Sequence, residues 1–421
     1  MTVCGFELTA GRFRALPRRP GRRDASLPSL PWLGIVGPAF AISIGYIDPG
    51  NWATDIAAGS FGFTLLWVVL LANLMATALQ ISVVRLATLT GVDLATAMAQ
   101  RWPKLATSFW CVFQGAAVAT DLAEFGGVVL GLQLLLHWSM KASVAAGVLA
   151  VFGLLMFGRR ESRQLEAAMA LVLGFIALLF AYQLVILRPA LPTIVGGLMP
   201  TISKLGAIPL IVGIIGATVM PHNLFLHSSL VLKNAATEQA QRVRQTAIFS
   251  KETWIALGLA TFVNGAILVV GGSLMGHNGS IEAAFHGLQL AQGGSIALIF
   301  GGGLIASGIA ASATATVAGN YVFRALAPWR VPPLVRRFAT IVPAAGLMVG
   351  GVHATDLLIW SQIGLALILP AVVVPMLLEY RRVHRDRNIA LMRPLFVGAC
   401  VAGSLCIAFD AMLLLQPLLA H

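Results

Sequence analysis

Charge is what this chain has least of. Asp, Glu, Lys and Arg make up 10% of its 421 residues, against roughly 25% in an ordinary soluble domain. That excludes a solvated globular surface for most of its length. Cysteine is scarce as well: Cys4, Cys111, Cys400 and Cys406 form no CxxC pair, so neither a disulfide framework nor a thiolate metal site is indicated. No HExxH or GxSxG run occurs, and hydrolytic chemistry has no visible machinery without one. A Walker motif is missing too, which argues against a nucleotide-driven pump. The chain is read as something other than an enzyme.

Apolar residues fill the space that charge leaves, at 58% of the chain. A helix needs ~20 apolar residues to cross a bilayer. Eleven segments qualify: 34–59, 63–84, 106–136, 142–158, 166–187, 207–231, 253–274, 294–323, 335–351, 355–378 and 394–417. This makes the chain an all-α polytopic membrane protein. The connection 275–292 sets Ile281, Ala284, Phe285 and Leu288 at helical spacing around Glu282, as in a short amphipathic helix on the outer surface.

The connections carry the base. Lys and Arg number 28 against 16 Asp and Glu. They are spread between spans rather than gathered in one soluble domain, a pattern of orientation signals and not of a nucleic-acid surface. With the N-terminus inside, 25 fall on the inner side and three (Lys141, Arg188 and Lys204) on the outer. A missed or invented span would scramble that asymmetry. Residues 1–31, rich in Arg and Pro, are then a cytoplasmic tail; they lack the amphipathic pattern of a transit peptide. The C-terminus lies outside after an odd number of spans.

Two spans are interrupted. The first contains Gly45-Tyr46-Ile47-Asp48-Pro49-Gly50-Asn51-Trp52 and the sixth contains Gly216-Ala217-Thr218-Val219-Met220-Pro221-His222-Asn223. Proline removes a backbone donor and glycine loosens the helix, so each is expected to unwind near mid-membrane. An ionisable residue at that depth faces a cavity or pathway. The interruptions open two successive sets of five spans, which the odd number inverts relative to each other. Paired broken helices in inverted repeats point to a transporter with its site between them. Residues 32–190 form the first repeat, 205–380 the second, and 391–417 an accessory eleventh helix.

The side chains at the breaks suit a divalent cation. Asp48 offers an anionic oxygen and Asn51 a neutral one three residues on. Ala217 and Met220, again three apart, offer a freed carbonyl and a thioether. Magnesium and calcium prefer all-oxygen shells, whereas sulfur favours softer transition metals.

Asp48-Pro49-Gly50-Asn51 and Met220-Pro221-His222 resemble the paired DPGN and MPH signatures of the Nramp family, including its bacterial MntH branch, within the LeuT-like architecture. Trp52-Ala53-Thr54-Asp55-Ile56, Thr120-Asp121-Leu122-Ala123-Glu124-Phe125 and Trp360-Ser361-Gln362 also match, and the resemblance covers nearly all of 32–415. It implies a LeuT-like 5+5 inverted repeat and a proton-coupled importer of Mn²⁺, with Fe²⁺ and related metals. It implies ligation by Asp48, Asn51, Met220 and the Ala217 carbonyl, with the Gly45 carbonyl and Gln362 joining in other conformations. Retention of Met220 argues against related branches that lack this sulfur and handle Mg²⁺ or Al³⁺. Metal and proton are cargo, with no permanent cofactor, and the partners are the metal ions, protons and lipid, with no obligate protein partner. The membrane implied is the bacterial plasma (inner) membrane.

Asp121 and Glu124, three apart in the third span, need a basic partner or a proton. His222 and His227 titrate near neutrality when unperturbed. The expected proton route runs through Asp48, Glu124, His222 and Asp121, with His227 either a further member or a hydrogen-bonded interior residue. Arg336 or Arg337 is the expected ion-pair and gate partner of the two carboxylates. Asn73 and Asn264 are expected to bond neighbouring helices, and the small-residue run 301–319 to pack closely against other helices. Gln183, Asn234, Asn320 and Ala366 depart from residues common in the family. The rival reading is a LeuT-fold carrier of a small organic solute such as an amino acid, for which Asp48 would face the solute's carboxylate.

Overall fold

The computed structural model describes residues 37–157, 162–202, 205–274, 279–327, 329, 331–387 and 393–419. The basic tail 1–31 lies outside the described residues, as do Arg159, Arg160, Lys204 and Arg330 from the orientation count. Among the described residues every regular element is helical.

The first expected span is three pieces: α1 (Pro38–Ser43), a 3₁₀ turn (Ile44–Ile47) and α2 (Pro49–Ala58). The next four are α3 (Leu66–Thr90), α5 (Ala106–Leu136), α6 (Met140–Phe157) and α7 (Ser162–Leu187), with a short α4 (Leu94–Arg101) between α3 and α5. A further short helix, α8 (Leu191–Gly197), precedes the interrupted sixth span, α9 (Ile208–Thr218) plus α10 (Pro221–Asn234). Then come α11 (Gln239–Leu274), α12 (Ile281–Gln292), α13 (Gly294–Leu326) and α14 (Pro333–Val349). The tenth span divides at Pro370 into α15 (Ala354–Ile368) and α16 (Pro370–Arg387), and α17 (Arg393–Leu419) is the eleventh.

All eleven expected segments are thus helical. Among the described residues eight helices are long and apolar enough to cross a membrane by length and composition alone. The broken first helix and α14 fall short, the latter with Arg336 and Arg337 near its start. A reading on the scale of spans passes over α4 and α8, which are eight and seven residues long. The signal for α4 was present in Asp93, whose Oδ1 accepts from Thr96 N at 3.0 Å as an N-cap. It also sets the start of α11 too late: Arg242, Arg244 and Lys251 extend that helix.

Large exposed side chains such as Leu149, Leu171, Leu178, Val185, Ile255 and Leu414 cover the outside, an apolar surface that suits lipid. Inside, α5 packs on α13, α14 and α15, and α3 on α11. Trp52 of α2 wedges between Phe180 of α7 and Phe300 of α13, each ring 5.0 Å away. α12 takes the expected amphipathic form, burying Ile281, Ala284, Phe285 and Leu288. It is pinned to α15 by Thr355, which donates to Glu282 Oε2 at 2.7 Å and accepts from Ile281 N at 3.3 Å.

Candidate metal centre

The DPGN run writes a helix start into the middle of an apolar span. Asp48 is extended (φ −67°, ψ 169°) and caps α2, its Oδ1 accepting from Asn51 N at 2.9 Å. Pro49 occupies the first helical position, where no N–H is missed. Carbonyls freed before the break are answered by side chains. Ile47 O accepts from Trp52 Nε1 at 3.0 Å and from Ser307 Oγ at 2.6 Å; Tyr46 O accepts from Asn264 Nδ2 at 2.8 Å. Gly45 is buried beside Asn223, so close that a Cβ there would lie 2.5 Å from its Nδ2.

The second break is built differently. α9 stops at Thr218, Val219 leaves the helical region (ψ 74°), Met220 is extended (ψ 124°), and Pro221 opens α10 with no side-chain cap at Met220. In an unbroken helix the Ala217 carbonyl would accept from the residue four on, which is Pro221 and has no N–H.

The two breaks meet at Asn51. One end of its side-chain amide lies 2.8 Å from Asp48 Oδ1 and 3.0 Å from Ala217 O; the other is 3.4 Å from Thr218 Oγ1. With nitrogen at the first end, the amide donates to both acceptors. With oxygen there, a carboxylate, an amide and a carbonyl oxygen converge with no proton between them, an arrangement that calls for a cation. The second Asp48 oxygen, Oδ2, is buried without a partner.

Met220 is 1% exposed, and its sulfur accepts from Asn223 Nδ2 at 3.8 Å. Gln362 of α15 backs onto the first turn of α2, where a Cβ on Gly50 would fall 2.2 Å from Gln362 Nε2. Its Nε2 donates to Ser361 Oγ at 3.0 Å while Oε1 has no partner. Asp48, Asn51, Ala217 and Gln362 are fully buried, so the centre is occluded from both sides. Among the described residues no three His, Cys, Asp or Glu side chains gather elsewhere as a metal cluster.

Arg337 answers both carboxylates of α5. It pairs with Asp121, reaches Glu124 Oε2 at 3.4 Å, and donates to Ser312 of α13. Arg336 does not join them: it donates to Gly319 O at 3.0 Å and to Asn320, with its guanidinium 4.2 Å from the Phe323 ring centre. Asp48 and Glu124 lie close enough for their charges to interact, as do His222 and Arg337. His222 Nδ1 is 3.3 Å from Thr120 Oγ1, next to Asp121 in sequence.

His227 sits apart from that group. Its Nδ1 is 2.8 Å from Gln80 Oε1, and Gln80 Nε2 donates to Tyr46 O–H oxygen at 2.6 Å. This chain ties α10 to the turn of the first break through α3. Sequence reasoning missed Tyr46, Gln80, Thr218 and Ser307 because each is an ordinary polar residue until the fold sets it against a break. Asn264 bonds a neighbouring element as expected. Asn73 does not: it donates to Val69 O one turn back in its own helix, at 2.8 Å, since that carbonyl is within reach of its short side chain.

The departures from the family pattern stay off the ligand set. Asn234 donates to Glu166 Oε1 at 2.8 Å, Asn320 serves Arg336, Ala366 packs with Ile208, Val212 and Ile363, and the Gln183 amide is buried without a partner.

Comparison with known proteins bears on the whole chain. A family model described as natural resistance-associated macrophage protein-like (Nramp) matches residues 39–416. The chain is 37% identical over 353 residues to a protein named divalent metal cation transporter MntH from Yersinia enterocolitica, covering 82% of this chain and 86% of that one. Its fold is similar to the crystal structure of the Eremococcus coleocola manganese transporter in complex with an aromatic bis-isothiourea substituted compound. That likeness has a TM-score of 0.74 and 25% identity, covering 94% of this chain and 97% of the other. A more distant likeness, in fold alone, is to Mhp1, a nucleobase-cation-symport-1 family transporter, at a TM-score of 0.55 and 14% identity over 90% and 92% of the two chains. The architecture is accordingly LeuT-like, five helices plus five with the first of each set interrupted, and an eleventh. On the match to residues 39–416 and the two broken helices that carry its signatures, the chain belongs to the Nramp family.

Proposed function

We propose that this protein is a proton-coupled secondary transporter that imports divalent transition metal ions by alternating access, Mn²⁺ first, with Fe²⁺ and related metals. One observation carries the reading: one end of the Asn51 amide lies 2.8 Å from Asp48 Oδ1 and 3.0 Å from the Ala217 carbonyl, so polar groups of two interrupted helices converge on one point. The relatives named as metal cation and manganese transporters support it. Met220 opens the second half of the site and supplies a thioether, which favours Mn²⁺ and Fe²⁺ over Mg²⁺ and Ca²⁺. An organic solute would leave the carboxylate of Asp48 facing a carboxylate.

Proton coupling falls to the carboxylates beside the centre. Glu124 lies within electrostatic range of Asp48 on one side and of Arg337 and Asp121 on the other. A charge change at Asp48 on metal binding is therefore felt along that line, with His222 at its flank. The Tyr46–Gln80–His227 chain closes the Arg-rich side, which faces the cytoplasm of a bacterial inner membrane; the C-terminus faces out. Residues 32–190 and 205–380 act as the two moving repeats, with 391–417 as an accessory and 1–31 as a cytoplasmic tail.

The test is uptake into proteoliposomes carrying a pH gradient, with Mn²⁺, Fe²⁺, Mg²⁺ and Ca²⁺ compared. Wild type should take up Mn²⁺ and Fe²⁺ with proton movement, and Asp48→Ala should not. Mn²⁺ uptake by Asp48→Ala at the wild-type rate would overturn the proposal.

A further inference from the structure

Most buried carboxylates among the described residues have a partner. Asp121 and Glu124 have Arg337, Glu252 accepts from Ala39 N at 2.8 Å, Glu166 accepts from Asn234, and Glu379 pairs with Arg101 and Arg382. Asp48 has Asn51 N. Asp55 is fully buried, with both oxygens enclosed and without a hydrogen-bond partner, whereas Asp410, which also lacks a partner, is 8% exposed and has only one oxygen so enclosed. Asp55 enters none of the ion pairs among the described residues. A carboxylate taken wholly out of water without a partner is expensive to keep, so the position calls for something that passes through it.

Its place on α2 indicates what that is. Asp55 follows Asp48 by seven residues, and at 100° per residue the two side chains leave the helix about 20° apart, about 10 Å along its axis. Asn51 stands between them on the same side. The two carboxylates are near enough for their charges to interact. They are too far apart for one ion to touch both, since metal–oxygen bonds to such cations run about 2.0–2.6 Å. Beyond Asp55 the last turn of α2 ends under the segment leading into α12, where a Cβ on Gly279 would lie 2.9 Å from Ala57 Cα. Asp55 therefore lies between the metal centre and the end of the molecule that α12 covers, away from Arg337.

We infer that Asp55 is a second cation-binding carboxylate of α2, which takes the incoming divalent ion from the α12 side and hands it to Asp48. The inference rests on the transport reading above. When α12 and its pin at Thr355 let water in, one carboxylate and retained waters suffice to hold such an ion loosely, as a station that must also release it. When they close, the ion has moved to the fuller ligand set and Asp55 is left as it is seen here.

The experiment compares wild type, Asp55→Asn, Asp55→Glu and Asp48→Asn in two assays. These are Mn²⁺ uptake into proteoliposomes with KM and Vmax resolved, and equilibrium Mn²⁺ binding to purified protein by calorimetry. Asp55→Asn should raise KM about tenfold, the loss of one modest charge contact. Equilibrium binding should stay within about threefold, because the Asp48 set is intact. Asp55→Glu should recover most of the KM. KM does not depend on how much protein folds, so a lower yield leaves the comparison valid. A wild-type KM in Asp55→Asn, or a fall in Vmax alone, would overturn the second station while Asp48→Asn remains inactive. Undiminished binding and uptake in Asp48→Asn would instead overturn the transport site, and the station with it.

Discussion

Pro221 has no N–H to give, and the carbonyl left waiting for it is that of Ala217, which lies 3.0 Å from the Asn51 amide. A single missing donor in one repeat thus creates an acceptor for the other. Pro221→Ala should let the helix close over this carbonyl, since it lifts the bar of about 3 kcal/mol that proline sets against a continuous helix there. Thermal unfolding is then expected to move upward or stay level while Mn²⁺ affinity drops at least tenfold. A protein that became both less stable and unchanged in affinity would contradict this account of the break.

In the proposed transporter, selectivity rests on one sulfur. Met220→Ala keeps Asp48, Asn51 and the Ala217 carbonyl, so it should still bind Mn²⁺, only more weakly. The residual shell is all oxygen and should admit Ca²⁺ and Mg²⁺. Competition of each ion against Mn²⁺ uptake reads this directly. Intact discrimination against Ca²⁺ in Met220→Ala would remove the role given to the thioether.

Among the described residues Arg337 is the only ion-pair partner of the buried carboxylates Asp121 and Glu124. Arg337→Leu leaves both uncompensated, which should cost about 3–5 kcal/mol of stability. Adding Asp121→Asn and Glu124→Gln to the same protein should return a large part of that loss, as seen in the melting temperature. Arg336→Leu, whose partners are a carbonyl, an amide and a ring, should cost less.

Proton movement is assigned to the same neighbourhood. In Glu124→Gln proteoliposomes, Mn²⁺ should enter with much reduced acidification of the lumen. Metal-driven proton uptake at the wild-type level would take Glu124 out of the route.

In the proposed transporter the Tyr46–Gln80–His227 chain holds the Arg-rich side shut through two hydrogen bonds, each worth about 1 kcal/mol net. Gln80→Ala should shift the population toward an opening on that side. A cysteine introduced as Ala41→Cys in α1, buried in the present state, should then label several times faster with a membrane-impermeant thiol reagent. An unchanged rate would mean that the seal lies elsewhere.

Most of the architecture was legible because a bilayer imposes coarse rules. Each span must be long, apolar and internally bonded, and Lys and Arg must mark one side, so eleven segments and their order could be read from hydropathy and charge alone. Asp48, Asn51, Ala217 and Met220 were legible for the opposite reason: they break those rules where breaking them is costly. What could not be read was any partnership between distant residues of ordinary type. Nothing in Gln80 announces Tyr46 and His227, and nothing in the adjacent Arg336 and Arg337 says which of them turns toward Asp121. The short helices α4 and α8 escaped because a window as long as a span averages them away.

The two breaks are not equally stiff. The first is capped by Asp48 and cross-tied at Ile47 O by Trp52 from its own helix and by Ser307 from α13. The second has no side-chain cap at all. Bending the first means breaking three bonds at once, whereas the second is held by the Val219 N–H to Ile215 O bond at 2.7 Å, the Asn223–Met220 contact and packing. In the proposed transporter the carboxylate ligand is therefore mounted on the more firmly tied jaw of a clamp and the sulfur ligand on the uncapped one. On that reading the grip on the ion would loosen first at the atom that tells one metal from another.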